Sequence, residues 1–231
     1  WWIPRLKLYD QWKNKSVVGG VGNYLALTGT ILKAEDLMYA GIATHFVKSN
    51  QLEELKQALV IASKEQDDVL GDCAASILMS FHDHNIDVGV SFLSQNRHDI
   101  DYAFDGKDTM EEIITSLEEM GPDSKFGQDT LKILRKMSPT SLKVTLEGLK
   151  RGAKAQSIGE ALQMEYRMSQ AFMREGTDFY EGIRAALVDK DGSPKWNPIS
   201  LEEVTKEMVG SYFEELGDKE LSFDSKANAK L

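Results

Sequence analysis

The stretch Met137-Ser138-Pro139-Thr140-Ser141-Leu142-Lys143 decides how this chain is read. Pro139 directly after Ser138 marks a helix start, because proline's fixed backbone angle and missing N–H are tolerated only in a first turn. The reading predicts a helix that opens at Pro139 and runs to about Lys150. The same signature extends along the chain in both directions. Leu52, Leu55, Leu59 and Val60 recur at three- and four-residue spacing, and so do Ile113, Ile114 and Leu117. Thr109 with Glu112, Ser157 with Glu160 and Ser200 with Glu203 carry the capping signature, in which a hydroxyl accepts from a first-turn amide and a glutamate reaches back. Gly121-Pro122-Asp123 and residues 189–198 are turn-rich breaks. Only His45-Phe46-Val47 hints at a strand, so the chain is expected to be mainly α, without internal repeat or low-complexity linker.

Composition bounds the function classes. With 231 residues and 42% hydrophobic side chains the chain can bury a core. Its net charge of −10 argues against a nucleic-acid footprint, which needs clustered Lys and Arg to release counterions. The one cysteine, Cys73, lies in an apolar helical stretch, so it is expected to pack rather than react, in a reducing compartment. No run has the length of a membrane span, and no secretory signal opens the chain. Trp1-Trp2-Ile3 is an apolar start without methionine, which reads as a cut end.

Motifs that carry chemistry are sparse. Gly19-Gly20-Val21-Gly22 lacks the Lys-Ser/Thr of a phosphate loop and reads as a flexible loop. His82 and His84, two apart, would project from different faces of a helix and make poor chelators; surface positions near a helix end suit them better. The acidic pairs Glu53-Glu54, Glu111-Glu112 and Glu214-Glu215 read as solvated faces. No Gly-x-Ser-x-Gly occurs, and no metal site is expected. Arg167 and Arg184, on helices that also carry Glu165 and Glu181, are expected to form structural pairs.

Three blocks carry a family resemblance. Residues 137–143, residues 164–198 (MEYRMSQAFMREGTDFYEGIRAALVDKDGSPKWNP) and residues 24–47 (YLALTGTILKAEDLMYAGIATHFV) together resemble the C-terminal half of the 3-hydroxyisobutyryl-CoA hydrolases. These are acyl-CoA thioesterases of valine breakdown on the crotonase (enoyl-CoA hydratase) fold. Trp1 to Leu6 is similar to the segment that follows the family's active-site sequence, Lys7 to Ser16 looks like a local insertion, and residues 51–108 match in helical character alone. The resemblance implies an α/β spiral whose sheet core lies upstream. Residues 1–50 would end that core with helices and one short strand, 51–136 form a family-specific helical region, and 137–231 form a helical cover. It further implies that the oxyanion amides and catalytic Glu and Asp lie upstream of Trp1, so no catalytic residue is assigned here and the chain alone is expected to be inactive. His45 would order the chain as it leaves a helix.

The family's last helix opens on an aromatic-x-Glu-Gly motif, here Phe179-Tyr180-Glu181-Gly182, and Lys190, Lys195 and Trp196 match positions that approach coenzyme A. Two ammonium groups and an indole suit phosphates and a stacking base. Packing of Trp196 against a helix, with solvated lysines, is the other reading of the same residues. No cofactor is implied, coenzyme A being part of the substrate. The implied partners are the acyl-CoA, the upstream half, and further copies or a larger assembly that covers an apolar face; no membrane is implied. The implied compartment is the mitochondrial matrix, while Ala229-Lys230-Leu231 resembles a peroxisomal address. Two other functions fit the resemblance: a non-catalytic subunit such as the hydrolase-like protein of the mitochondrial small ribosomal subunit, and an enoyl-CoA hydratase or isomerase.

Overall fold

A computed structural model describes residues 8–10, 15–17, 20–65 and 70–223. In chain order the elements are β1 (Leu8–Asp10), β2 (Lys15–Val17), α1 (Val21–Thr28), α2 (Ala34–Tyr39), α3 (Leu52–Glu65), α4 (Leu70–Phe81), α5 (Phe92–Gln95) and α6 (Arg97–Phe104). They continue as α7 (Met110–Glu119), α8 (Lys125–Leu134), α9 (Pro139–Lys154), α10 (Ile158–Phe172), α11 (Asp178–Ile183) with a π-helical turn (Arg184–Val188), and α12 (Lys206–Gly210). β1 and β2 pair antiparallel, Tyr9 opposite Ser16. The mainly α reading therefore holds. No helix among the described residues is long and apolar enough to cross a membrane.

The chain divides into two compact units. Among the described residues, the first takes 20–30 and 99–223. Its core gathers Val21, Tyr24 and Leu27 from α1, Ile100 and Phe104, Ile113 and Leu117 from α7, Leu134 from α8, and Leu142, Val144 and Leu146 from α9. The Tyr24 ring meets Phe104 edge-on at 5.4 Å and Phe126 at 5.6 Å. Three of the helix starts, at Thr109, Ser138 and Ser157, are built as their sequences predict. Ser138 caps α9 by accepting from the Ser141 N–H at 3.0 Å, with Pro139 in the first turn. That helix continues one turn past Lys150, to Lys154. Thr109 and Ser157 accept from the amides of Glu112 and Glu160, and each glutamate reaches back, to the Asp108 and Gln156 N–H. Gly121 turns the chain between α7 and α8 at φ 80°, a region glycine enters without a Cβ penalty.

Among the described residues, the second unit takes 8–10, 15–17, 31–65 and 70–98. There α3 and α4 pack together, and a buried carboxylate organises the rest. Asp36 accepts from its own helix start, the Lys33 N–H at 3.2 Å, and from the Leu93 N–H at 2.9 Å, tying α2 to α5.

Three expectations are corrected. Residues 45–47 form no strand: the Phe46 N–H donates to His82 Nδ1 at 2.9 Å, and its carbonyl accepts from the Asp83 N–H at 2.8 Å. His82 and His84 lie just past the end of α4, in line with the helix-end reading, their rings edge-to-face at 4.6 Å. Ser200 and Glu203 open no helix, since residues 201–203 form a turn in which the Ser200 hydroxyl serves Glu202; the helix starts later, at the Thr205 cap. Gly20 is a packing glycine rather than part of a flexible loop. Its N–H donates to Asp101 at 3.0 Å, and a Cβ there would lie 2.7 Å from the Ile100 carbonyl oxygen. Cys73 is half-buried. Trp1 to Leu6, Gly19 and the terminal tripeptide lie outside the described residues.

Candidate functional site

The segment after α11 is where sequence reading places the ligand contacts, and two acidic residues set its shape. Glu181 lies in α11, and Arg184, three residues on, shares its face. The guanidinium grips Glu181 through Nε at 2.9 Å and Nη2 at 2.8 Å, turns Nη1 to Asp189 at 2.6 Å and Asp191 at 2.7 Å, and reaches the Ser193 carbonyl at 3.3 Å. A guanidinium has five N–H donors, so this one side chain is fully used in holding residues 189–193 against the helix. Glu181 also accepts the Lys195 N–H at 2.6 Å. Bonding to Arg184, then to the Lys195 amide, pulls its carboxyl down to about 2, and Arg184 next to three carboxylates has its own proton held more tightly. Asp191 is lowered by Arg184 and then by the Ser193 amide.

The far end of the segment is fixed by Asp178, the first residue of α11, which is buried. One oxygen accepts from the Asn197 N–H at 2.9 Å and the other from the Ser138 hydroxyl at 2.5 Å. Ser138 thus caps α9 while donating to a carboxylate 40 residues away. Asp178 was not singled out in the sequence. The signal present there was Thr177-Asp178, a helix-start pair with an acidic first turn.

This frame positions the three candidate residues differently. The Trp196 indole lies against Gly182, where a Cβ would sit in ordinary van der Waals contact with the ring at 3.4 Å. Its Nε1–H donates to the Lys136 carbonyl at 3.0 Å. Lys190 and Lys195 are exposed, and Lys190 makes no ion pair among the described residues. Lys190 also holds φ 57°, a left-handed conformation that costs a β-carbon-bearing residue energy, so its backbone is fixed while its ammonium reaches solvent.

Beside Asp178 opens a cavity of 270 Å³ lined by Thr140, Arg174, Asp178, Asn197 and Tyr212 among others. The Thr140 hydroxyl is buried without a hydrogen-bond partner. Burial, then the Asp178 charge, raises the Tyr212 phenol above its ordinary range. Arg167 pairs with Glu220 at 2.9 Å, and Arg184 with Glu181, so both arginines hold structure. Among the described residues no group of His, Cys, Asp and Glu is arranged to hold a metal ion.

The pattern of the enoyl-CoA hydratase/isomerase family matches residues 11–213. The chain belongs to that family. Within it the chain is 44% identical over 207 residues to the mitochondrial 3-hydroxyisobutyryl-CoA hydrolase of Homo sapiens, covering 89% of this chain and 51% of that protein. It is 45% identical over 205 residues to that of Xenopus laevis, with the same coverage. The chain thus spans about half the length of the curated relatives it matches. Among solved structures, a carnitinyl-CoA dehydratase from Mycobacterium thermoresistibile superposes with a TM-score of 0.73 at 33% identity, covering 90% of this chain and 54% of that one. An enoyl-CoA hydratase from Rhodobacter sphaeroides 2.4.1 gives 0.71 at 33%, covering 89% and 54%.

Proposed function

We propose that this chain is the C-terminal half of an acyl-CoA thioester hydrolase that acts on 3-hydroxyisobutyryl-CoA in valine breakdown in the mitochondrial matrix. The observation that carries the reading is the 40–45% identity, over nearly the whole chain, to relatives that bear that name. The hydratase-like neighbours are less similar, at 33% identity, so hydrolysis is preferred to hydration.

In this reading the upstream half holds a sheet core, with the amides that stabilise the thioester oxyanion and the acidic groups that assist attack and release. The described helices supply the cover. Lys190 and Lys195, presented on a segment stapled by Glu181 and Asp178, meet the phosphates of coenzyme A. Trp196, whose N–H is already bonded to Lys136, orients that segment and offers its remaining face to the adenine. Exposed apolar residues of α3 and α10, such as Leu52, Ile61 and Ile158, are surface for the upstream half or for further copies of the protein.

The test is complementation. The chain is co-expressed with the N-terminal half of the human relative, and release of coenzyme A thiol from 3-hydroxyisobutyryl-CoA is followed. Turnover is expected only when both halves are present, and Lys190→Ala with Lys195→Ala should raise KM while leaving kcat close to its starting value. Hydration of an enoyl-CoA without thiol release would overturn the assignment. Turnover by this chain alone would overturn the division of labour.

A further inference from the structure

A second groove, away from residues 189–198, lies in the same unit and has a volume of 510 Å³, within the range of small-molecule sites. Its floor includes the side chains of Met110, Leu146 and Val204, all nearly devoid of solvent contact, with Val209 beside them. Around that floor stand four cations: Lys143, Lys150 and Arg151 from α9, and Lys206 from the start of α12. The α9 residues are seven and eight positions apart, which puts them on one side of the helix. Three carboxylates, Asp108, Glu111 and Glu147, also line the groove, so its cations exceed its anions by one in a chain of net charge −10.

The cations differ in how they are held. The Lys143 side chain is 19% exposed, pairs with Glu111 at 2.6 Å and donates to the Val204 carbonyl at 3.1 Å. Arg151 pairs with Glu147 at 2.6 Å and covers the Phe213 ring at 4.1 Å. These two are built into the wall. Lys150 donates to the Asp108 backbone carbonyl, and its carboxylate partner is the same residue's side chain at 3.4 Å, 84% exposed. Lys206 has no ion-pair partner among the described residues. An exposed carboxylate at that distance gains little from its pair and is readily exchanged for another anion. Lys206 is therefore the cation without an ion pair among the described residues, and Lys150 the one whose carboxylate partner is exposed enough to be displaced.

We propose that this groove binds a small organic phosphate with a short apolar body, the body on Met110, Leu146 and Val204 and the phosphate between Lys150 and Lys206, displacing Asp108. Lysines act as point charges towards phosphate, and the bound dianion is stabilised by both. The site is independent of the coenzyme A contact argued above, since none of Lys190, Lys195 or Trp196 lines the groove.

The experiment is calorimetric titration of the 231-residue chain with hexyl phosphate, alongside hexanol and inorganic phosphate, with amide NMR shifts to place the ligand. Hexyl phosphate should bind more tightly than either fragment and shift amides of Met110, Leu146 and Lys206. Lys150→Met with Lys206→Met should weaken binding by about tenfold or more, which corresponds to about 1.4 kcal/mol. Lys206→Arg should retain it, with an unchanged melting temperature as the control for folding. Asp108→Asn should tighten binding, an outcome that a purely structural Asp108–Lys150 pair does not predict. Lys190→Ala with Lys195→Ala should leave hexyl phosphate binding unchanged, and loss in that variant would place the ligand on the other segment and overturn the groove. Absence of binding at millimolar ligand, or an affinity indifferent to Lys150 and Lys206, would also overturn it.

Discussion

Helix α7 of the first unit and helix α3 of the second were read from the same kind of stripe, yet they use it differently. Ile113 and Leu117 on α7 are fully buried, and Leu134 and Val144 join them from α8 and α9. On α3 only Leu55 is buried, while Leu52 is 51%, Val60 46% and Ile61 57% exposed. Periodicity reports that a helix has an apolar face; it does not say what that face meets. The first unit closes its stripes on one another, whereas α3 keeps an apolar surface that fits the cover role proposed above.

The sharpest test of that contrast is truncation in each region. Leu117→Ala should destabilise the first unit by roughly 2–5 kcal/mol, the range for a buried leucine that leaves a cavity, and should lower the urea midpoint. Leu52→Ala, half exposed, should lie within about 0.5 kcal/mol of the parent in the same titration. Equal losses would mean that α3 is covered and would erase the distinction.

Smaller effects probe how the candidate segment is attached to that core. Asp178→Ala should cost roughly 1–3 kcal/mol, because a buried carboxylate leaves and the Ser138 hydroxyl and Asn197 amide lose their acceptor. Ser138→Ala should cost about 1 kcal/mol for the cap. The double variant should fall short of the sum, since both changes cut one network; an additive result in a denaturation cycle would separate the cap from the staple.

The mildest change is titration of Glu181. Its folded carboxyl, about 2, lies below the ordinary 4.5, so its contribution is present above pH 4.5 and is lost as pH falls towards 2. The Trp196 indole NMR resonance should shift across that window, and Glu181→Gln should shift it already at neutral pH.

Several elements were legible because their causes are local. A hydroxyl that caps an amide three residues on, as Thr109, Ser138 and Ser157 do, leaves its mark in a few adjacent letters. The same pattern at Ser200 misled, because Glu202 took the hydroxyl and a turn formed. His45-Phe46-Val47 read as a strand by residue type, but its partner is the His82 ring rather than another strand. Lys190, Lys195 and Trp196 were found through resemblance, and nothing in their spacing foretold that the indole would lie on Gly182. Asp178 and Thr140, which border the adjacent cavity, sit in stretches read for their helix starts, and nothing in those letters told that the two would meet at one cavity.

By itself the sequence determined the helical character, most helix starts and breaks, and the family, since each rests on short-range backbone energetics or on matched letters. Tertiary structure alone decided which stripes are buried, that Arg184 spends all five donors on one segment, and that four cations surround the Met110 floor. Those arrangements join groups as far apart as Lys143 and Val204, and such pairings arise only when chain folding brings distant charges and apolar surfaces out of water together.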